Sequence, residues 1–290
     1  MATIREKGYS HWDGKLTERR FPWWPITRTG ILLAFRKKRF KFVFAGSFVP
    51  AVVFLVGLYI SERLEDFKAF LQGSDRLLNI NPNYFKTYFT NDSLLFLIVL
   101  VLGFAAAGLI ADDLKHNSLQ LYFSRPLRKK DYLLGKMSVI FFFVLILTAV
   151  PGLVLLIFKL IFAGSFKFFL DYPWLPLSIL GYSALLTVFF AFYVLFLSSL
   201  SKNTRYVTIL VFMIYIFSDI LFGILSGIFH KPAMALFSIK ANLQQAGAFL
   251  FGQKLPFAVP AGWSFLILAG ICVLSAAVLN RKIRSVEVIK

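Results

Sequence analysis

The sequence predicts an all-α polytopic membrane protein with six transmembrane helices. Three observations carry that prediction. Of 290 residues 58% are apolar and 35 are Phe, for a mean hydropathy of +0.73. The apolar residues fall in unbroken blocks, and a block of about 20 is what a helix needs to cross the hydrocarbon core. Six blocks qualify: Phe42–Ile60, Ser93–Ala111, Ser138–Phe162, Leu175–Leu200, Tyr206–Phe229 and Gly262–Asn280. Basic residues, finally, gather in alternate gaps between them. Segments 1–41, 112–137, 201–206 and 281–290 hold 23 of the 32 Lys and Arg, while the 14 acids divide evenly. That asymmetry places both termini and the 112–137 loop in the cytoplasm. Helices suit the blocks because lipid offers no partner to an open backbone. A β-barrel would alternate over about ten residues, and these runs do not.

The same charge distribution excludes a nucleic-acid binder. The net charge of +18 serves orientation and attraction to anionic lipid, not a basic groove. One cysteine, Cys272, excludes an intrachain disulfide and a cysteine-based metal centre. Residues 1–41 carry no secretory-signal pattern, so the first span is expected to act as the targeting signal.

Two regions are expected, a basic arm over 1–41 and a six-span domain over 42–290. In the arm, Phe21-Pro22-Trp23-Trp24-Pro25 sets two indoles at headgroup level. Thr27 or Thr29 would cap an amphipathic interfacial helix running through Ile31, Leu32 and Phe35 to Arg36–Arg39. Pro50 in the first span and Pro151-Gly152 in the third predict kinks. The first external loop, Ser61–Asp92, predicts a short helix with Ile60, Leu64, Phe67 and Leu71 on one face and Glu62, Glu65 and Asp66 on the other. Gly73 and Asn81-Pro82-Asn83 then break it. Gly103-x-x-x-Ala107 and Gly223-x-x-x-Gly227 allow close helix approach. Before the sixth span, His230–Ala261 is too polar to cross and too apolar for a solvent loop. It predicts one or two short helices lying on the outer surface or dipping into it. No internal repeat supports an inverted-repeat transporter.

The most informative stretch is Asp112–Lys136, reading DDLKHNSLQLYFSRPLRKKDYLLGK. Span two closes on Asp112-Asp113. Leu114 and Leu121 then share a helical face, with Ser118 between them and Tyr122 beside Leu121. Ser124-Arg125-Pro126 ends that helix, because proline disfavours helical geometry in the residue before it, and Pro126 starts the next. A short helix held between two spans is suited to receive a push from a soluble partner. The chain has no G-x-x-x-x-G-K-[ST] loop, so any ATP that powers it is hydrolysed by another protein.

These residues resemble the type-2 ABC transporter permeases. Ser124-Arg125-Pro126-Leu127 and Tyr132-Leu133-Leu134-Gly135-Lys136 carry the match, with six spans, an amphipathic arm and a helical insert before span six. Members commonly have an acidic–basic pair and then Gly-Thr, where this chain has Asp112-Asp113 and Asn117-Ser118. The resemblance implies a permease subunit in the cell (inner) membrane, forming the pathway as a dimer with a second permease subunit, identical or homologous. Separate ABC ATPase subunits would bind ATP and Mg, leaving no cofactor in this chain, and transport would run as export. It also implies a coupling helix that docks the ATPase through Leu114, Asn117, Ser118, Leu121, Tyr122, Phe123 and Arg125, with Asp112 and Asp113 fixing its start. A lipidic or amphiphilic cargo would suit the many Phe residues.

Other readings remain. Asp112, Asp113 and His116 lie within one turn and would make a divalent-metal site of a membrane-embedded enzyme. The chain would alternatively anchor an ATPase without moving a solute. Asp219 falls near the centre of the fifth block, where a carboxylate costs about 2.5–3.5 kcal/mol. It is expected to line the pathway or a subunit interface, or else to pair with nearby serines (Ser218, Ser226).

Overall fold

The structure is a computed structural model that describes residues 21–62, 80–123, 127–164 and 166–284, all helices and connections with no strand among them. Six helical segments are long and apolar enough to cross a membrane: Lys38–Glu62, Asp92–Lys115, Lys129–Ala163, Leu175–Leu200, Thr204–Phe229 and Ala261–Lys282. Each contains or overlaps one predicted block. The helix predicted across the first loop and the Ser124-Arg125-Pro126 break lie outside the described residues.

Spans two, three and four form the centre. The core joins Leu95, Ile98 and Leu102 of span two to Val139 and Phe143 of span three and Ile179, Leu186 and Phe190 of span four. In their most apolar windows spans two to four are 72%, 56% and 61% buried, against 11%, 22% and 22% for spans one, five and six. Composition does not separate the two groups, because lipid-facing and protein-facing surfaces are equally apolar.

Both predicted kinks are present. Span one divides at Ser47 into Lys38–Gly46 and Val49–Glu62, and span three divides at Thr148 into Lys129–Leu147 and Ala149–Ala163. Pro151 has no N–H for the Leu147 carbonyl four residues back. The Tyr88 hydroxyl donates to that carbonyl instead, at 3.2 Å. Span two carries a third break, at Ala106–Ala107 between Asp92–Ala105 and Gly108–Lys115, with no proline near it. Gly103 is the expected close approach, since a Cβ there would meet Phe212 of span five at 2.9 Å. At Gly223 and Gly227 a Cβ would meet nothing within 4 Å, so that face of span five is open in the single chain.

The arm helix runs Trp24–Arg36 with Pro25 in its first turn, so neither Thr27 nor Thr29 caps it. Thr27 lies inside the helix instead, donating to the carbonyls of Trp23 (3.2 Å) and Gly135 (3.1 Å). A Cβ at Gly30 would meet Val139 at 2.6 Å, and one at Gly135 would meet Ile26 at 2.9 Å. The arm is thus packed closely on the start of span three, each glycine taking a side chain of the other helix against its backbone.

On the far side from the basic loops, Asn81-Pro82-Asn83, expected as the break after the loop helix, begins a further helix. Asn81 Oδ1 accepts from the Asn83 N–H at 3.0 Å, an N-cap, and Pro82 supplies the first turn of Pro82–Thr90. The insert before span six folds as a 3-10 segment, Pro232–Phe237, followed by a helix, Ile239–Leu250. Of the two placements expected, dipping inward is the one found. Ala241, Asn242, Leu243, Gln245 and Ala246 are buried, and the Tyr182 hydroxyl of span four donates to the Leu243 carbonyl at 3.0 Å.

Candidate functional site

At the basic end, the last turn of span two feeds a six-residue helix, Ser118–Phe123, through His116 and Asn117. Asn117 takes a left-handed conformation (φ 52°), which its short polar side chain tolerates, and there the helix of span two is separated from the short one. His116 Nδ1 lies 2.9 Å from the Asp112 carbonyl.

Asp112 and Asp113 face different partners. Asp112 accepts a hydrogen bond from Thr204 Oγ1 at the start of span five. Asp113 Oδ2 accepts from the Tyr132 hydroxyl and the Lys136 ammonium of span three, each at 2.7 Å. Lys136 also lies over the Tyr122 and Tyr132 rings, 5.8 and 5.5 Å from their centroids. The paired aspartates therefore tie the root of the short helix to two other spans. They do not converge with His116, and no three His, Cys, Asp or Glu side chains gather to hold a metal among the described residues. The metal-enzyme reading fails on that geometry.

The predicted docking residues divide by direction. Tyr122 packs inward on Tyr132, ring centroids 5.4 Å apart, and burial first and Asp113 second push its phenol pKa up. Leu114 is partly buried in the same cluster, beside Ile26 of the arm helix and Leu119, which sequence reasoning passed over. Asp112 and Asn117 are exposed, as are the intervening Lys115 and His116, and Ser118 is half-buried. The side chains of Leu121 and Phe123, and all of Arg125, lie outside the described residues.

A second polar cluster forms around Asp219. Its carboxylate meets Lys240 Nζ at 2.7 Å and accepts from Ser238 Oγ at 3.1 Å. Lys240 also reaches Asp92 at 3.2 Å, and Gln244 Nε2 donates to Asp92 at 2.7 Å. Burial opposes the Lys240 charge, but the two carboxylates outweigh it and hold the pKa above the ordinary lysine value. Asp219 is therefore level with Asp92, the first residue of span two, and not isolated in mid-membrane. Of the two serines expected to pair with it, Ser218 and Ser226, neither is the one found: Ser218 accepts from the Ile239 N–H at 3.2 Å, and the serine on the carboxylate is Ser238. Ser238 and Lys240 of the buried insert serve instead.

No curated protein matches the chain at a significant level. A family model does match, over residues 25–277, and its description is ABC-2 family transporter protein. That interval takes in the arm helix from its second residue, both polar clusters and all six spans except the end of the last. The chain accordingly belongs to the ABC-2 family of transporter proteins, as a multi-pass membrane component that is not itself the catalyst.

Proposed function

We propose that this chain is the permease half of an ABC exporter in the inner membrane, with both termini cytoplasmic. Two such halves form the pathway, and separate ATPase subunits bind ATP and Mg and drive them. The observation that carries the reading is the Ser118–Phe123 helix. It sits at the basic end, rooted through Asp112, Asp113 and Tyr122 to spans three and five, with an exposed rim just before it at Lys115–Asn117. A push on that rim reaches three spans at once. In this role the helix is the coupling helix, Lys115, His116 and Asn117 touch the ATPase, and Tyr122 holds the helix from behind.

The open faces of spans one and five suit a second permease copy and lipid. Gly223 and Gly227 meet nothing in the single chain, and Asp219 lies on the same span. Asp219 and Lys240 then stand beside the pathway or the subunit interface, where they pin the buried insert to spans two and five. Motion of two rigid bundles about such an interface is the usual form of switching between inward- and outward-open states.

The test is capture from native membranes, with bound proteins identified by mass spectrometry. Wild type is expected to bring down a P-loop ATPase, and the Lys115→Glu/His116→Glu double variant is expected to lose it while still folding. Wild type without any P-loop ATPase in mild detergent would overturn the reading.

A further inference from the structure

We infer that Ser198 is a positioning residue of the transport cycle, holding a hinge in span two and handing its movement to span four. The hinge is the proline-free break at Ala106–Ala107. A new helix starts at Gly108, and its first N–H groups have no partner within it. Ala107 has no side chain to cap them. Ser198, fully buried on span four, does so from outside: its Oγ accepts from the N–H groups of Ile110 and Ala111, each at 3.0 Å, and donates to the Ala107 carbonyl at 2.7 Å. One donor and two acceptor sites are all a serine hydroxyl has, and all three are used on span two.

The upper side of the break is held from elsewhere. Thr208 Oγ1 of span five donates to the Gly103 carbonyl at 3.1 Å, and Lys37 Nζ, between arm and span one, donates to Phe104 at 3.1 Å. The lower half, Gly108–Lys115, leads straight into the Ser118–Phe123 helix. Movement there meets span four both by packing and, at the break itself, through the hydrogen bonds of the Ser198 hydroxyl.

The break also has a second satisfied arrangement. If span two straightens, the Ile110 N–H closes on the Ala106 carbonyl as in any α-helix, in place of the Leu109 N–H that holds it at 3.0 Å in the bent form. The freed hydroxyl of Ser198 then bonds a carbonyl one turn back on its own helix, as Thr187 does to Ser183 at 2.6 Å. In both arrangements the Ile110 N–H and the Ser198 hydroxyl keep a partner, which lowers the cost of a two-state hinge here. Ala105, Ala106, Ala107 and Gly108 keep the bend free of bulk.

The transmission step rests on the permease reading; the hinge does not. The test therefore has two arms, both on the full chain in lipid nanodiscs, comparing wild type, Ser198→Ala and Ser199→Ala. Ser199 is buried too, but its hydroxyl bonds only the Phe196 carbonyl of its own helix, at 2.7 Å. In the chain alone, Ser198→Ala should speed amide exchange at Ile110 about tenfold, the effect of one lost hydrogen bond. Ser199→Ala should not. Equal exchange in all three proteins overturns the hinge. With the copurified ATPase, nitroxides at the exposed positions 96 of span two and 200 at the end of span four read the ATP-driven change passed from one span to the other. Ser198→Ala should keep ATP hydrolysis near the wild-type rate and lose that change. An unaltered ATP-driven change overturns the transmission role. Failure of the permease reading is the separate result that wild type carries no ATPase.

Discussion

Lys159 and Glu62 show how individual charges are kept in this membrane. Lys159 lies in the outer part of span three, over the Phe168 ring at 5.2 Å, and pairs with Glu62 at the end of span one. Their side chains are only 11% and 16% exposed. Breaking a buried pair by removing one member leaves an uncompensated charge and costs about 3–5 kcal/mol, whereas replacing both by apolar residues is often nearly neutral. Lys159→Leu or Glu62→Leu alone is therefore expected to lower the thermal midpoint in nanodiscs sharply, and the double variant to recover most of the loss. A double variant as unstable as the singles would show that the pair has no such role. The sequence exposes such residues but not their partners. Asp219 stands out as a carboxylate inside an apolar block, and Lys159 stands out by the same criterion, though sequence reasoning took up only the first. The partners are not legible because they come from distant elements: Lys240 from the insert that turns back inward, Glu62 from another span.

The same division between visible cause and hidden partner holds for whole helices. Pro50 and Pro151 mark two breaks because proline removes a backbone donor wherever it stands. The break at Ala106–Ala107 carries no such mark. Its cause lies in Ser198, Thr208 and Lys37, which take span-two backbone groups only after the spans have packed. Asn81-Pro82-Asn83 is the converse case, since the residues that end one helix also cap the next, and the pattern alone does not say which. The helix they begin, Pro82–Thr90, has a definite task. Tyr88 serves the carbonyl that Pro151 leaves unpaired, and Phe89 sits where a Cβ at Gly152 would be 2.5 Å away. Tyr88→Phe keeps the ring and removes only the donor, so the Leu147 carbonyl becomes a buried orphan. The expected loss is about 1–3 kcal/mol, read as a lower unfolding midpoint in detergent. Thr87→Phe is not a substitute, but Thr87→Ala is a fair control, because Thr87 is exposed and bonds only the Asn83 carbonyl of its own helix. Equal midpoints for Tyr88→Phe and Thr87→Ala would mean the kink satisfies its carbonyl in another way.

At the scale of the whole molecule, function depends on which end faces the cytoplasm, because a cytoplasmic ATPase reaches only that side. Six spans put residues 115 and 202 on one side and 254 on the other. The bias of 23 of 32 Lys and Arg toward the first side sets the expected direction. Acids do not offset it, being even between the two sides, and each basic residue near an anionic leaflet adds about 1 kcal/mol of attraction. Lys202 and Lys254 are both exposed and sit on opposite connections, which makes them suitable reporters. In a Cys272→Ala background, Lys202→Cys should react with a membrane-impermeant maleimide only in inside-out vesicles, and Lys254→Cys only in right-side-out ones. The reverse pattern would put the Ser118–Phe123 helix outside the cell, where no ATP-driven partner could dock. The expected pattern would instead place that helix, the arm and the short turn at Lys202 on the one surface an ATPase can reach. The Asp219–Lys240 cluster would then lie at the opposite end of the same spans, so that force applied at one end has to cross the Ala106–Ala107 break before it moves the other.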